Sequence, residues 1–294
     1  MNTGKRLRLN LVDLMIFIIV IAFMVYLYYR VNLVLAYSWD WTIIPLYMLR
    51  KDDETGGWVA NLLLLGLYTT IKLALWSIVF SALIGGLMGI LRTSKRVFPR
   101  MLSRTYVELI RNIPPLVFIF VFFFFIAGML MPLFGIEEFV KNASPKTLTI
   151  IGWVATDPKL LTNFIAGVIC LSLFAGAYVT EIVRAGIQSI PKAQFEAGES
   201  VGLSKWQIMR YIVLPQALAR VIPPLAGQFI ILIKDSSLVS LISIQELTFI
   251  AMEIANSSGR LFEVWIFVGV LYFVICYGLA KVFGRLEKRS ESYR

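Results

Sequence analysis

Glu181 and Arg184 stand three residues apart in a mostly apolar stretch that reads as helix, so their side chains share one face. Ionisable groups inside a membrane-spanning stretch are expensive and by default suggest function. Two uses fit this pair: a structural ion pair near a membrane boundary, or a charged lining beside a translocation cavity. Lys234 and Asp235 are adjacent in "FIILIKDSSLVSLI" and therefore point to different helix faces. Ser236 and Ser237 follow and can bond freed backbone groups, as in a broken helix lining a polar cavity. For this second cluster a structural and a functional role fit equally well. Such groups suit holding a polar solute better than breaking bonds. The chain has no histidine, the commonest general base, nucleophile activator and metal ligand. It also lacks any GxxxxGK[ST] phosphate loop, so dependence on ATP has to come from another chain.

The elements that position these groups are apolar helices. The sequence has 294 residues, 59% of them apolar, and a mean hydropathy of +0.79. Runs at about 11–35, 59–91, 113–135, 161–185, 222–245 and 262–284 are long enough to cross ~30 Å of hydrocarbon. The expected fold is all-α, a polytopic helical membrane protein with about six spans. The net charge of +10 does not form one basic patch with interleaved aromatics, so no nucleic acid partner is expected and the bilayer accounts for it. Cys170 and Cys276 fall in apolar runs and read as packing residues, with no disulfide and no metal site expected. The basic start and the apolar run of about 17 residues after it lack a small-residue cleavage site, which predicts a retained first helix.

Charge sets the predicted orientation. Lys5, Arg6 and Arg8, then Arg92, Lys95, Arg96, Arg100, Arg104 and Arg111, then Lys281, Arg285, Lys288, Arg289 and Arg294 fall on alternate sides of the spans. By the positive-inside rule these are cytoplasmic, as are both termini. The connections carrying Asp40, Asp52, Asp53 and Glu54, then Glu137, Glu138 and Asp157, face outward, with Trp39, Trp41, Trp58 and Trp153 near span ends. Arg111, before Pro114 and Pro115, reads as a phosphate-facing anchor more readily than as a gate. Gly85 and Gly89 in GxxxG spacing read as a close-packing face, and Phe118 to Phe125 as lipid-facing or core aromatics.

The longest polar interval, about 186–220, is predicted cytoplasmic and has its own design. Pro191 suits a first helical turn, "KAQFEAGESV" forms two to three turns, and Gly202 suits a left-handed C-terminal position. Ser204 and Gln207 make a capping box for a second helix, which Pro215 is expected to bend or end. Helix, glycine turn and helix form a knob, equally readable as an ordinary amphipathic surface helix on these grounds.

The spacing Glu196-Ala197-Gly198, three residues, Gly202, nine residues, then Ile212-Val213-Leu214-Pro215 resembles the EAA motif of ABC importer permeases, with Gly198 replacing the second alanine. "GLYTTIKLALWSIVFSALIGGLMGILRTS", "YVELIRNIPPLV", "GAYVTEIVRAGIQSIPKAQFEAGESVGLS" and "IKDSSLVSLISIQEL" are each similar to signatures of the polar amino acid permeases, the histidine and glutamine importer group, in that group's order.

This resemblance implies a type I ABC importer transmembrane domain. Residues 1–58 would be an added N-terminal helix and external connection, 59–284 the five-span core and 285–294 a cytoplasmic tail. About 192–203 would be the coupling helix, docking in a groove of an ATPase subunit through Glu196, Ala197, Gly198, Gly202, Leu214 and Pro215. The small residues there would permit close approach, with Gly198 loosening the helix slightly. The matching acidic position in related permeases lies at the substrate site, which favours Glu181 as a substrate contact; Arg184, Lys234, Asp235 and Ser236 are the other candidates. Implied partners are two ATPase subunits holding ATP and Mg, a second permease chain or a second copy, and an extracytoplasmic binding protein, in a bacterial inner membrane. The chain itself would carry no cofactor and perform no catalysis. An outer insertion at 136–160 and the extra first span depart from the shortest members. An ion-coupled secondary transporter or channel acting alone is the alternative, and an intramembrane enzyme is disfavoured by absent histidine and unpaired carboxylates.

Overall fold

The computed structural model describes residues 10–34, 37–53 and 56–291, with side chains described to residue 285. Lys5, Arg6, Arg8, Glu54 and Arg294, and the side chains of Lys288 and Arg289, which entered the orientation argument, lie outside the described residues. Among those described, six helical segments are long and apolar enough to cross a membrane: Leu11–Val34, Leu62–Arg92, Pro115–Phe134, Pro158–Gln188, Lys205–Ile242 and Leu261–Arg285, here spans 1 to 6.

The chain divides into two compact units at Ile43. The first unit holds span 1, which starts at a capping box in which Asn10 accepts from the first-turn backbone and Asp13 reaches back to the Asn10 N–H at 2.9 Å. In the second unit, strands Leu49–Lys51 and Trp58–Ala60 pair antiparallel with Leu49 opposite Ala60. That hairpin runs straight into span 2, which explains why the division falls before it and not at residue 58.

Span 2 packs along span 4 because glycines remove the side chains that would hold them apart. A Cβ on Gly85 would sit 2.5 Å from the Val179 side chain, and one on Gly89 2.6 Å from that of Val183. The GxxxG face is therefore a helix seam, as its spacing predicts. Leu73, Cys170, Leu171, Leu232 and Val239 form the buried centre around it. Phe122 is buried and Phe124 and Phe125 are exposed, so the phenylalanine run divides between core and lipid-facing surface.

Three features differ from expectation. Pro215 does not end a helix. The chain runs through a wide π turn over Ile208–Val213 into helix Leu214–Asp235, with Pro215 in its first turn. The wide π turn just before it accommodates the missing proline N–H, and Gln216 Nε2 bonds the Ile212 carbonyl at 2.9 Å, so the helix that starts at Lys205 continues through span 5. The basic connection after span 2 contains an amphipathic helix, Val97–Arg111, whose Ser103, Val107 and Ile110 face inward and whose Arg100 and Arg104 face out. Its Ser103 hydroxyl donates to the Met88 carbonyl at 2.7 Å and its Tyr106 hydroxyl to the Leu173 carbonyl at 2.7 Å, tying it to spans 2 and 4. The insertion folds into helices Ile136–Asn142 and Pro145–Val154, and a further helix, Leu247–Ser258, precedes span 6.

Candidate functional site

The polar segment has the geometry its residues dictate. Helix Lys192–Ser200 closes with Gly202 at φ +78°, Gly202 N–H bonding the Glu199 carbonyl at 3.0 Å and Leu203 N–H the Gly198 carbonyl at 3.1 Å. This is the two-bond Schellman ending that favours glycine. Ser204 and Gln207 form the expected capping box, Ser204 N–H donating to Gln207 Oε1 at 2.8 Å. The knob is anchored by Ile187, Ile190, Ile208, Val213 and Ala217, with Phe195 and Leu203 packed against them.

Gly198 acts differently from expectation. It is buried, and a Cβ there would meet Ile208 Cγ1 at 2.8 Å. The missing alanine methyl lets the short helix seat on its own scaffold. Ala197, Glu196 and Glu199 face outward, Pro215 is exposed and Leu214 half-buried. Beside them Val201, Trp206 and Tyr211 are 75%, 69% and 68% exposed, an apolar rim that spacing alone did not single out.

Glu181 is the hub of an ion cluster. Arg184 donates through Nε at 2.9 Å and Nη2 at 2.7 Å to its Oε2. Arg92, the last residue of span 2, brings Nε within 2.8 Å of Oε1. That second contact is an ion pair without an aligned hydrogen bond, since Oε1 and Arg92 Nη1 both lack a hydrogen-bond partner. Glu108 lies 4.0 Å from Arg92, and Gln188 accepts from Arg184. One carboxylate thus links spans 2 and 4 beside helix Val97–Arg111. Arg92 was visible in sequence only as a boundary charge; nothing local signals a partner 89 positions on.

The Lys234 group stands separately. Lys234 is exposed, Asp235 half-buried, and neither forms an ion pair among the described residues. Ser236 is fully buried and donates to the Ile233 carbonyl at 2.7 Å, while Ser237 donates to the Lys234 carbonyl at 2.6 Å. Both hydroxyls brace the passage from helix into the 3₁₀ turn Ser236–Ile242. Arg111 places its guanidinium 5.3 Å from the Tyr178 ring centre, a cation–π contact.

A buried carboxylate escaped the sequence reading altogether. Glu246 caps helix Leu247–Ser258, accepting from Phe249 N–H at 2.8 Å, from Tyr272 Oη at 3.0 Å and from Thr70 Oγ1 at 3.3 Å. Burial pushes its carboxyl up to about 7, against the opposing pull of those hydrogen bonds. It knots the start of span 2 to span 6.

A bundle of apolar helices carrying a capped helix-turn-helix knob defines a multi-pass membrane protein. The chain belongs to the binding-protein-dependent transport system inner membrane components, whose family pattern matches residues 81–291. It is 34% identical over 226 residues to the probable glutamine ABC transporter permease protein GlnM of Bacillus subtilis, covering 77% of this chain and 92% of that protein. It is 30% identical over 255 residues to the glutamate/aspartate import permease protein GltK of Escherichia coli, covering 86% and 99%. Among solved structures, an amino acid ABC transporter with histidines matches with TM-score 0.65 and 28% identity, covering 86% of this chain and all of that one (100%). The fold is that of type I ABC importer transmembrane domains.

Proposed function

We propose that this chain is the permease subunit of an ATP-driven importer of polar amino acids in a bacterial inner membrane, with both termini cytoplasmic. The observation that carries the reading is the knob at 192–215, in which the exposed Glu196, Ala197 and Glu199 and the apolar rim of Val201, Trp206 and Tyr211 stand on a rigidly capped base. An ATPase subunit binding ATP and Mg docks there. Because the knob is packed on the ends of spans 4 and 5, and span 5 continues from it without a break, movement of the docked ATPase passes to both spans. The cavity then alternates between outward and inward states, each biased by the partners. A second permease chain, or a second copy of this one, completes the path, and an extracytoplasmic binding protein delivers the substrate.

Glu181 and Arg184 are the proposed charged contacts for the amino acid's ammonium and carboxylate, with Lys234 and Asp235 at a second position and Ser236 holding its bend. In the conformation described, Glu181 is occupied by Arg92 and Arg184, so substrate binding on this reading involves a partner exchange within the cluster.

The test is reconstitution in liposomes with the cognate ATPase and binding protein, measuring ATP hydrolysis as single amino acids are added. Stimulation by one class of amino acid is expected. Uptake that persists without ATP or ATPase would put an ion-coupled transporter in its place. Gly202→Val, which forces a β-branched residue into the left-handed region, should leave the spans intact and uncouple hydrolysis from uptake.

A further inference from the structure

Tyr68, Lys72, Trp76, Phe80 and Ile84 recur every fourth residue of span 2, each beside the next along a slowly winding row that is polar at one end and apolar along the rest. Trp76 and Phe80 stack with ring centres 5.9 Å apart. The insertion helix Pro145–Val154 lies across the polar end: Lys72 Nζ donates to the Gly152 carbonyl at 2.8 Å and Trp76 Nε1 to the Val154 carbonyl at 3.1 Å. Below that crossing, spans 2 and 4 and the insertion enclose a groove of about 600 Å³ whose walls, Ser172 apart, are aliphatic and aromatic. At the crossing, Tyr68, Lys72, Thr149 and Trp153 line an adjoining recess.

The position of Lys72 along span 2 gives the groove its setting. From Lys72 to Arg92 is 92 − 72 = 20 helical residues, which at ~1.5 Å each span ~30 Å, the thickness of bilayer hydrocarbon. A lysine and an arginine at that separation fit the two hydrocarbon boundaries of one bilayer, with the apolar groove running inward from the lysine. Trp153, 80% exposed, suits the same interfacial level. An ammonium has three donors. Among the described residues Lys72 uses one, on Gly152, and forms no ion pair, so one positive charge faces the recess uncompensated.

We propose that this groove and recess bind one anionic membrane phospholipid, its phosphate on Lys72 beside Tyr68 and Thr149, its acyl chain along Trp76, Phe80 and Ile84. The insertion at 136–160 then has a role: it completes a lipid site against spans 2 and 4. This does not rest on the transport reading.

The full chain, purified in mild detergent and offered equal phosphatidylglycerol and phosphatidylcholine, should retain one phosphatidylglycerol in native mass spectrometry, preferred about fivefold, the scale of one lysine at an anionic surface. Lys72→Met should abolish the preference and Lys72→Arg should keep it. Ile169→Trp, which fills the groove, should reduce retention of both lipids. An unchanged preference in Lys72→Met overturns the proposal. So does a species of two protein chains that Ile169→Trp splits, because the groove would then be an interface between copies.

Discussion

Glu181 and Glu246 both fasten span 2, at its opposite ends, by opposite chemistry. Glu181 is held by two guanidinium groups, retains 18% side-chain exposure, and joins spans 2 and 4. Glu246 is fully buried and, among the described residues, meets hydroxyls and backbone N–H groups and no cation, joining span 2 to span 6. A carboxylate shared by two guanidinium groups can exchange one for the other and stay paired, even though its Oε1 and Arg92 Nη1 are buried away from water. A desolvated carboxyl inside a neutral hydrogen-bond set cannot, because no second cation stands ready to take the place of its buried donors among the described residues. One end of the span is built to rearrange and the other to stay.

The comparison breaks most visibly at Glu246. Glu246→Ala leaves the Phe249 N–H uncapped and takes a shared acceptor from the Thr70 and Tyr272 hydroxyls, which keep the Gly66 carbonyl and Thr248 Oγ1 as partners; it should cost about 3 kcal/mol, seen as a large drop in detergent thermal unfolding. If its cost is no greater than that of Glu181→Gln, the contrast between the two ends is wrong.

A smaller effect follows from pH. The folded Glu246 carboxyl, raised from 4.5 to about 7, binds its proton more tightly than the unfolded one, so its contribution is full below pH 4.5 and falls as pH rises towards 7. The loss over that interval should be about 3 kcal/mol. Glu246→Gln, which cannot titrate, should flatten this part of the stability–pH curve; parallel curves for the two proteins would refute the assignment.

At the other end, a double-mutant cycle of Arg92→Met with Glu181→Gln should give a coupling of only ~1 kcal/mol, because both groups keep some solvent. Uptake should nonetheless fall strongly in Glu181→Gln with assembly intact; normal uptake would leave the cluster a purely structural clamp. The smallest effect is that of salt: raising ionic strength from 0.1 to 0.5 M should shrink the Arg92–Glu181 coupling by about half and leave the Thr70–Glu246 coupling nearly unchanged, since screening acts on charges that water reaches.

How much of this was legible depends on the range of the forces involved. The spans were readable because bilayer thickness fixes the length of an apolar run, and the turn at Gly202 because caps depend on residues within one helical turn. The amphipathic helix Val97–Arg111 was also legible in principle, from Ser103, Val107 and Ile110 at helical spacing, beside arginines whose sign alone fixed the predicted side of the membrane. The inward placement of Gly198 was not legible, since the EAA spacing is the same whichever way that face turns.

The sequence by itself determined a multi-pass helical membrane protein, its capped knob and its glycine seam, because hydropathy, caps and small-residue spacing act between neighbours. Only the tertiary structure decided that Arg92 shares Glu181, that Thr70 meets Glu246 across 176 positions, and that the insertion crosses Lys72. Those pairings depend on which helices come to lie side by side, and a chain's local chemistry is nearly the same for every such arrangement until packing selects one.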